Sequence, residues 1–346
     1  MEGAFAQPAW RVEARIATLV ADVAAEWTSQ QPPLAVLFDA LNGFISGGGK
    51  RLRPLFCVWG AVGAGADPDD SDVIDAAAAL ELLHAFALIH DDVMDGSDIR
   101  RGRPSLHRQF EAMHEGDGLK GEGRRFGEGL AVLAGDVAFV LADVLVDGLP
   151  RPARQVWHQL RVELTMGQWI DMVGAARGDR CPELARWVAT YKSGRYTVER
   201  PLHLGAAVVG RTDLTAAYSA IGRPLGEAFQ LRDDLLGVLG DPACTGKPVG
   251  TDLREGKPTF VLAVASQLAD EAGRRRLARA GASDLSDDEV LELCRLVESS
   301  GAVDVVEREI DTLVGRAIDA IDRCVLQPGA VDALHGLCRL AAWRER

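Results

Sequence analysis

Aromatic residues are scarce in this chain, making up only 6% of its 346 residues, with three tyrosines among them. Stretches that alternate apolar and polar residues with a period of two are also rare, while Ala and Leu dominate throughout. That composition argues against a protein built on sheets and predicts an all-α one. No Pro-, Ser- or Gly-rich linker and no mid-chain shift in composition divides the chain. Although its length exceeds the usual domain size, one large helical domain over residues 1–346 is expected. Positive charge is in deficit: the net charge of −13 argues against a nucleic-acid partner, because phosphate backbones attract basic surfaces. The six cysteines (Cys57, Cys181, Cys244, Cys294, Cys324 and Cys338) form no C-x-x-C pair, and no signal-peptide pattern opens the chain. They read as reduced thiols of a cytoplasmic protein. The longest apolar stretch is interrupted by Asp75, Glu81 and His84, so no transmembrane segment is expected.

What the chain does have is concentrated first in Glu81–Pro104 (ELLHAFALIHDDVMDGSDIRRGRP). Leu82, Leu83, Ala85, Phe86, Ala87, Leu88 and Ile89 run without a break into Asp91, Asp92 and Asp95. The pattern predicts one helix that is apolar for several turns and anionic at its C-terminal end. Carboxylates there repel the helix dipole and one another, a cost that makes sense if cations sit among them. Asp91 and Asp95 are four apart on one face with Asp92 adjacent, so their oxygens can converge on hard divalent ions such as magnesium. A solvated acidic helix end would look similar. Arg100 and Arg101, followed by Gly102, add the bidentate donors that a polyphosphate requires. His84 lies two helical turns before Asp91 on the same stripe, facing either the same cavity or the core.

A second concentration is Gly47-Gly48-Gly49-Lys50-Arg51-Leu52-Arg53-Pro54. It is not a nucleotide P-loop, since Phe44 stands where that motif needs Gly and Arg51 where it needs Ser or Thr. Its glycines free the backbone to approach a ligand, and Lys50 and Arg53 are expected three apart on one face of a helix starting there, as a diphosphate clamp. A third is Gly226–Gly240, where Gln230, Asp233 and Asp234 fall at i, i+3 and i+4. Lys247 and Lys257 follow it in Gly- and Pro-rich loops, repeating the logic of carboxylates followed by cations.

Between these, helices are expected over about 1–30, 32–41, 55–64, 73–95, 130–146, 151–173, 183–198 and much of 283–346. Residues 111–129, rich in Gly and charge, read as a mobile surface loop. Asp136 is expected to be buried in its apolar run, while Gln168 and Asp171 read as either site-supporting or structural. Lys192-Ser193-Gly194 is a soft spot inside its helix, destabilising by about 1 kcal/mol relative to Ala, with Lys192 able to reach a phosphate.

These motifs, in this order from Gly47 to Thr259, resemble those of the trans-isoprenyl diphosphate synthases, the polyprenyl synthetase family. Asp91-Asp92-x-x-Asp95 with Arg100-Arg101-Gly102 is similar to the family's first Asp-rich motif, and Phe229-Gln230-x-x-Asp233-Asp234 to the start of the second. The Lys50-x-x-Arg53 clamp and Lys257 match as well. The resemblance implies an all-α prenyltransferase with a central cavity, usually a homodimer, holding about three Mg2+ ions on an allylic diphosphate. By that match Asp91, Asp92, Asp95 and Asp233 would be the metal residues, with Asp91, Asp95 and Asp233 foremost. Arg100, Lys192, Ser193 (Thr is usual there), Gln230, Lys247 and Lys257 would contact the allylic diphosphate, and Lys50, Arg53, His84 and Arg101 isopentenyl diphosphate. Lys192 and Lys257 would join the aspartates in catalysis.

One position departs from the pattern: Gly237 stands where the second motif usually ends in a third Asp. Asp241 and Asp252 lie close enough in sequence to compensate in part, and an active enzyme is expected. The growing tail should run down the apolar stretch before Asp91, where Phe86 lies five residues back, roughly 7.5 Å deeper, and Ala87 is small. In the family, one aromatic at that depth without an insertion between Asp92 and Asp95 resembles enzymes making twenty-carbon geranylgeranyl diphosphate. Fifteen-carbon farnesyl diphosphate is the main competitor, and a twenty-five-carbon product stays open. A class I terpene cyclase shares the first motif but lacks the Lys50–Arg53 clamp, and a non-catalytic subunit of a heteromeric synthase rests on Gly237 alone.

Overall fold

Asp70 begins the helix on which much of the molecule is packed: its carboxylate accepts from the amides of Asp72 (2.8 Å) and Val73 (3.4 Å), capping Ser71–Met94. The computed structural model describes residues 5–178, 181–240 and 249–343. In chain order they form α1 (Ala6–Gln30), α2 (Ala35–Ser46), α3 (Leu52–Gly63), α4 (Ser71–Met94), a small hairpin of β1 (Ile99–Arg100) and β2 (Arg103–Pro104), α5 (Leu106–Gly116), α6 (Gly123–Asp147), α7 (Arg151–Arg177) and α8 (Pro182–Val188). A π-helix, Ala189–Glu199, leads into α9 (Arg200–Val208) and α10 (Thr215–Leu239). Then come α11 (Thr251–Glu255), α12 (Phe260–Leu268), α13 (Glu271–Leu277), α14 (Asp287–Ser299), α15 (Ala302–Arg323) and α16 (Pro328–Ala342). The fold is all-α, as composition predicts.

Ala76–Leu80 of α4 are wholly buried, which is how a helix apolar on all sides must sit. Its interior charges are neutralised: Asp75 accepts from Arg15 (2.6 Å), and Glu81 from Arg51. One apolar cluster gathers α4 with α1, α2, α5, α6 and α7; another gathers α10 with the C-terminal helices. Helices α3 and α9 contribute to both and cross at glycines. A Cβ on Gly60 would stand 3.0 Å from the Leu202 backbone, and one on Gly205 only 2.7 Å from Ala61 N.

Two expectations are corrected. Residues 111–129 are mostly helical, lying in α5 and α6 with only 117–122 between them. Gly127 is a contact residue there rather than a hinge: a Cβ would come within 2.9 Å of Glu111 N, so its absence lets α6 lie on α5. Asp136 is exposed, 3.5 Å from His90 Nε2. Its apolar neighbours misled because α6 is apolar on its outward face too, where Leu133, Val140 and Val144 are all more than half exposed. Two helices, α4 and α6, are long and apolar enough by composition to cross a membrane, a test that the core helix of a soluble protein passes as well. Two-thirds of the α4 window is buried within the protein, as in a core helix.

His203 on α9 ties stability to pH. Its Nδ1 faces Arg200 Nη1 (3.1 Å) and its Nε2 the Thr215 carbonyl (3.0 Å), an arrangement that suits a neutral ring. Burial lowers its pKa from 6.5 to about 4, Arg200 acting with it and Glu199 against it. A depressed histidine contributes stability fully above its unfolded value, and that contribution fades as pH falls from about 6.5 to 4. The expected loss is of order 3 kcal/mol. Denaturant titrations at pH 7 and pH 4.5 should show it, and His203→Asn should flatten the difference; an unchanged pH slope would refute the assignment.

Candidate active site

A cavity of about 720 Å³ opens between α3, α4, α7, the π-helix, α10 and Thr251–Thr259. Phe86, Ala87, Leu88 and Leu164 line it, while Asp91, Lys192, Asp233, Asp252 and Lys257 supply charge. Periodicity explains the arrangement, since residues four apart on a helix share a face. Ala87 and Asp91 are such a pair on α4, and Asp233 and Gly237 on α10. Phe86 packs against Phe139 of α6 (ring centroids 4.6 Å apart) and His90 (4.5 Å), so its ring is held from two sides.

The acidic side is already in contact with cations. Lys192 Nζ lies 3.2 Å from Asp91 Oδ1 and 2.6 Å from Asp171 Oδ2, and Gln168 Nε2 donates to Asp91 Oδ1 at 3.1 Å. Lys257 Nζ lies 2.6 Å from Glu255 Oε2 and 3.0 Å from Asp95 Oδ2. Burial alone would raise Asp91, but Lys192, Lys257 and Arg100 hold it well below the usual carboxylate range. Burial does raise Asp95, against Lys257 and with the help of the Asp91 charge. Burial would likewise depress Lys257, yet the Asp252, Glu255, Asp95 and Asp91 carboxylates keep its ammonium well above its ordinary value.

The basic corner is built on backbone that few residues adopt. Arg51 (φ 48°) and Arg101 (φ 53°) are both left-handed. Arg101 and Gly102 (φ 72°) turn the β1–β2 hairpin with two positive φ values, the geometry of a type I′ turn. Arg51 is anchored by Glu13 (2.8 Å), Glu81 and the Ile45 carbonyl (2.8 Å). Helix α3 starts at Leu52, so Lys50 precedes it rather than sharing a helical face with Arg53, although both line the cavity. Arg53 lies over the Tyr196 ring, 4.2 Å from its centroid, and its buried Nε makes no hydrogen bond. Tyr196 in turn shares a 2.8 Å hydrogen bond with His84 Nδ1. Burial and four nearby arginines, Arg53 foremost, keep His84 neutral, well below its ordinary value.

The expected soft spot at Lys192-Ser193-Gly194 proves to be the middle of the π-helix. Its wider turn is accommodated by glycines. A Cβ on Gly194 would meet the Gly226 carbonyl carbon at 2.9 Å, one on Gly226 the Gly194 oxygen at 2.5 Å, and one on Gly167 Lys192 Cα at 2.7 Å. Lys192, Ser193 and Tyr196 consequently share the cavity wall.

Of the residues singled out in the sequence, Asp91, Lys50, Arg53, His84, Phe86, Ala87, Arg100, Arg101, Lys192, Ser193, Gln230, Asp233 and Lys257 line this cavity. Asp95 adjoins it through Lys257. Lys247 and Asp241 lie outside the described residues. Asp92 is 1% exposed and outside the lining, and its Oδ1 accepts from Arg100 Nη2 and Nε (2.9 Å). Asp234 is likewise held in the wall by Gln230 Nε2 (2.7 Å) and Phe260 N (3.2 Å). Tyr196 went unnoticed in the sequence, although its place four residues after Lys192 was a signal. Asp171 and Gln168 prove to belong to the site.

Among the described residues no three acidic, histidine or cysteine side chains converge tightly enough to hold an ion alone. Asp91, Asp95 and Asp233 still fit magnesium that takes its remaining ligands from a diphosphate, because every donor is a hard oxygen. Asp95 Oδ2 is buried and meets Lys257 Nζ at 3.0 Å.

Residues 35–297 match the model of the polyprenyl synthetase family. The chain is 32% identical over 306 residues to geranylfarnesyl diphosphate synthase of Aeropyrum pernix, covering 84% of this chain and 89% of that protein. It is 33% identical over 285 residues to (2E,6E)-farnesyl diphosphate synthase of Mycobacterium tuberculosis, covering 80% and 74%. A crystal structure of geranylgeranyl pyrophosphate synthase from Corynebacterium glutamicum, complexed with isoprenyl diphosphate and magnesium, superposes with a TM-score of 0.92 at 35% identity, over 96% of this chain and 98% of that one.

Proposed function

This chain belongs to the polyprenyl synthetase family of prenyltransferases, and from that premise we propose that it condenses isopentenyl diphosphate with an allylic diphosphate, head to tail, to make geranylgeranyl diphosphate. The observation that carries the chain length is the Phe86 ring in the cavity lining, backed by Phe139. An aromatic pair of that kind is a floor that a flexible tail cannot push aside cheaply, since cores resist overpacking. The similar proteins bear names with three different products, so the floor rather than the resemblance selects among them.

Asp91, Asp95 and Asp233 are the residues that would hold magnesium, which when bound stabilises the charge of the departing diphosphate. Lys192 and Lys257, kept cationic by their carboxylate neighbours, hold the allylic diphosphate together with Arg100, Ser193 and Gln230. Lys50, Arg53 and Arg101 hold isopentenyl diphosphate, and neutral His84 with Tyr196 closes that corner. The apolar wall keeps water from an allylic cation that water would quench, and the proton lost on condensation passes to the released diphosphate.

Incubating the chain with magnesium, isopentenyl diphosphate and each allylic starter, then separating the hydrolysed products by length, tests the reading. A twenty-carbon alcohol supports it, a fifteen-carbon one overturns the floor, and no extension of any starter overturns the activity. Phe86→Ala should shift the products at least one five-carbon unit longer; an unchanged distribution would show that the ring does not limit growth.

The partner is a second copy of the chain, in this reading. Leu133, Val137, Val140 and Val144 fall at spacings of four, three and four on the outward side of α6, forming one apolar stripe. Light scattering should give twice the mass of one chain, and Val140→Glu should halve it; a monomeric parent chain would refute the pairing.

A further inference from the structure

The missing third aspartate of the second acidic helix has a physical counterpart elsewhere. Gly237 follows Asp233 by one turn, so a side chain there would point into the cavity beside Asp233. That space is filled. A Cβ built on Gly237 would fall inside the Asp252 carboxylate; even the farthest of its three atoms, Oδ1, lies only 2.9 Å away. Such an overlap is outside what real contacts show, so no residue but glycine fits at 237 while Asp252 keeps its place. Asp252 sits in α11, whose Gly250 N-cap has φ 73°, and Lys257 N donates to the Asp252 carbonyl at 3.0 Å. Its carboxylate lines the cavity with Asp233 and stands 4.0 Å from Lys257 Nζ, the ammonium that also reaches Asp95.

We propose that Asp252 supplies the third carboxylate of the second acidic cluster, delivered from α11 into the volume that a side chain at 237 would otherwise occupy. Gly237 is then the opening through which Asp252 reaches the site rather than a lost ligand. The inference rests on the magnesium- and diphosphate-binding reading above and adds to it which carboxylate faces the ions beside Asp233. It also couples the pair: a side chain at 237 has to displace the Asp252 carboxylate from its present place.

The test is titration of magnesium and inorganic diphosphate into the full-length chain by calorimetry, alongside steady-state kinetics and thermal melts. Asp252→Asn, which keeps the shape, should weaken magnesium-dependent diphosphate binding about ten- to hundredfold, as expected for a group that holds or orients a metal ligand. Gly237→Asp alone should not strengthen binding, because two carboxylates then compete for one volume. The exchange Gly237→Asp with Asp252→Ala should recover most of the binding lost in Asp252→Asn. Should the Asp252→Asn isotherm match the parent, Asp252 does not face the ions and the inference falls. It falls equally if Asp252→Asn weakens binding and the exchange restores nothing in a chain that melts as the parent does. Should the exchange variant be unfolded, Asp252→Asn at folded parent-like stability decides alone. The isotherm needs no turnover, so a parent chain that binds diphosphate yet extends no starter would overturn the proposed reaction without deciding this question.

Discussion

Asp91→Asn is expected to lower turnover about a thousandfold, equivalent to roughly 4 kcal/mol of transition-state stabilisation, while leaving the melting temperature within a few degrees of the parent. The two effects separate because of who else holds the neighbours. Lys192 keeps Asp171 at 2.6 Å when the Asp91 charge is gone, and Arg100 keeps its fork on Asp92. No cation is left buried and alone, so the fold loses little. Asp92→Asn should show the reverse emphasis. It removes the charge that Arg100 grips, leaving that guanidinium with Asp91 at 3.8 Å as its other acidic neighbour. Breaking a buried pair by removing one partner costs about 3 kcal/mol of stability, so this variant should melt well below Asp91→Asn. Turnover and thermal melts of both variants check the pair of claims. An Asp91→Asn enzyme within tenfold of the parent would remove Asp91 from the centre of the site.

Gly226→Ala should destabilise the protein by about 3 kcal/mol, because its methyl would stand 2.5 Å from the Gly194 oxygen and force the π-helix away from α10. The displaced segment carries Lys192, Ser193 and Tyr196, so turnover should fall with stability. Gly194→Ala acts on the same contact from the other side, and the double variant should cost less than the sum of the two. Gly315→Ala is the control. Nothing lies within 4 Å of its Cβ position on α15, so ordinary helix propensity should make it stabilising by up to about 1 kcal/mol. Thermal melts that rank Gly226→Ala beside Gly315→Ala would refute the close approach.

The site was legible wherever chemistry follows local spacing. Asp91 with His84 and Asp233 with Gln230 are set three to seven apart on single helices, and a helix alone brings them to one face. What spacing cannot tell is which way a terminal turn rotates a particular carboxylate. Asp92 differs from Asp91 by one residue, and Arg100, returning from the hairpin, holds it in the wall. The soft spot at Gly194 was visible as a weak helix position, but its widening into a π-helix depends on Gly226 and Gly167 from two other helices. Glycine and apolarity misled at α5 and α6. Gly127 there permits contact rather than motion, and the apolar run around Asp136 covers an outward face.

The pairing of Lys192 with Asp91 and of Lys257 with Asp95 has one more consequence. Each cation already rests on an acid that the proposed ions would also claim, so these four groups balance one another as the chain stands. A diphosphate arriving alone finds its lysines engaged, and a divalent cation arriving alone finds its oxygens engaged. Arriving together they exchange partners without any change in the number of paired charges, and neither the acids nor the bases are left unmatched in a low-dielectric pocket. On the proposed function the cavity would admit an ion and its phosphate counterpart together, which sets a threshold against either guest on its own.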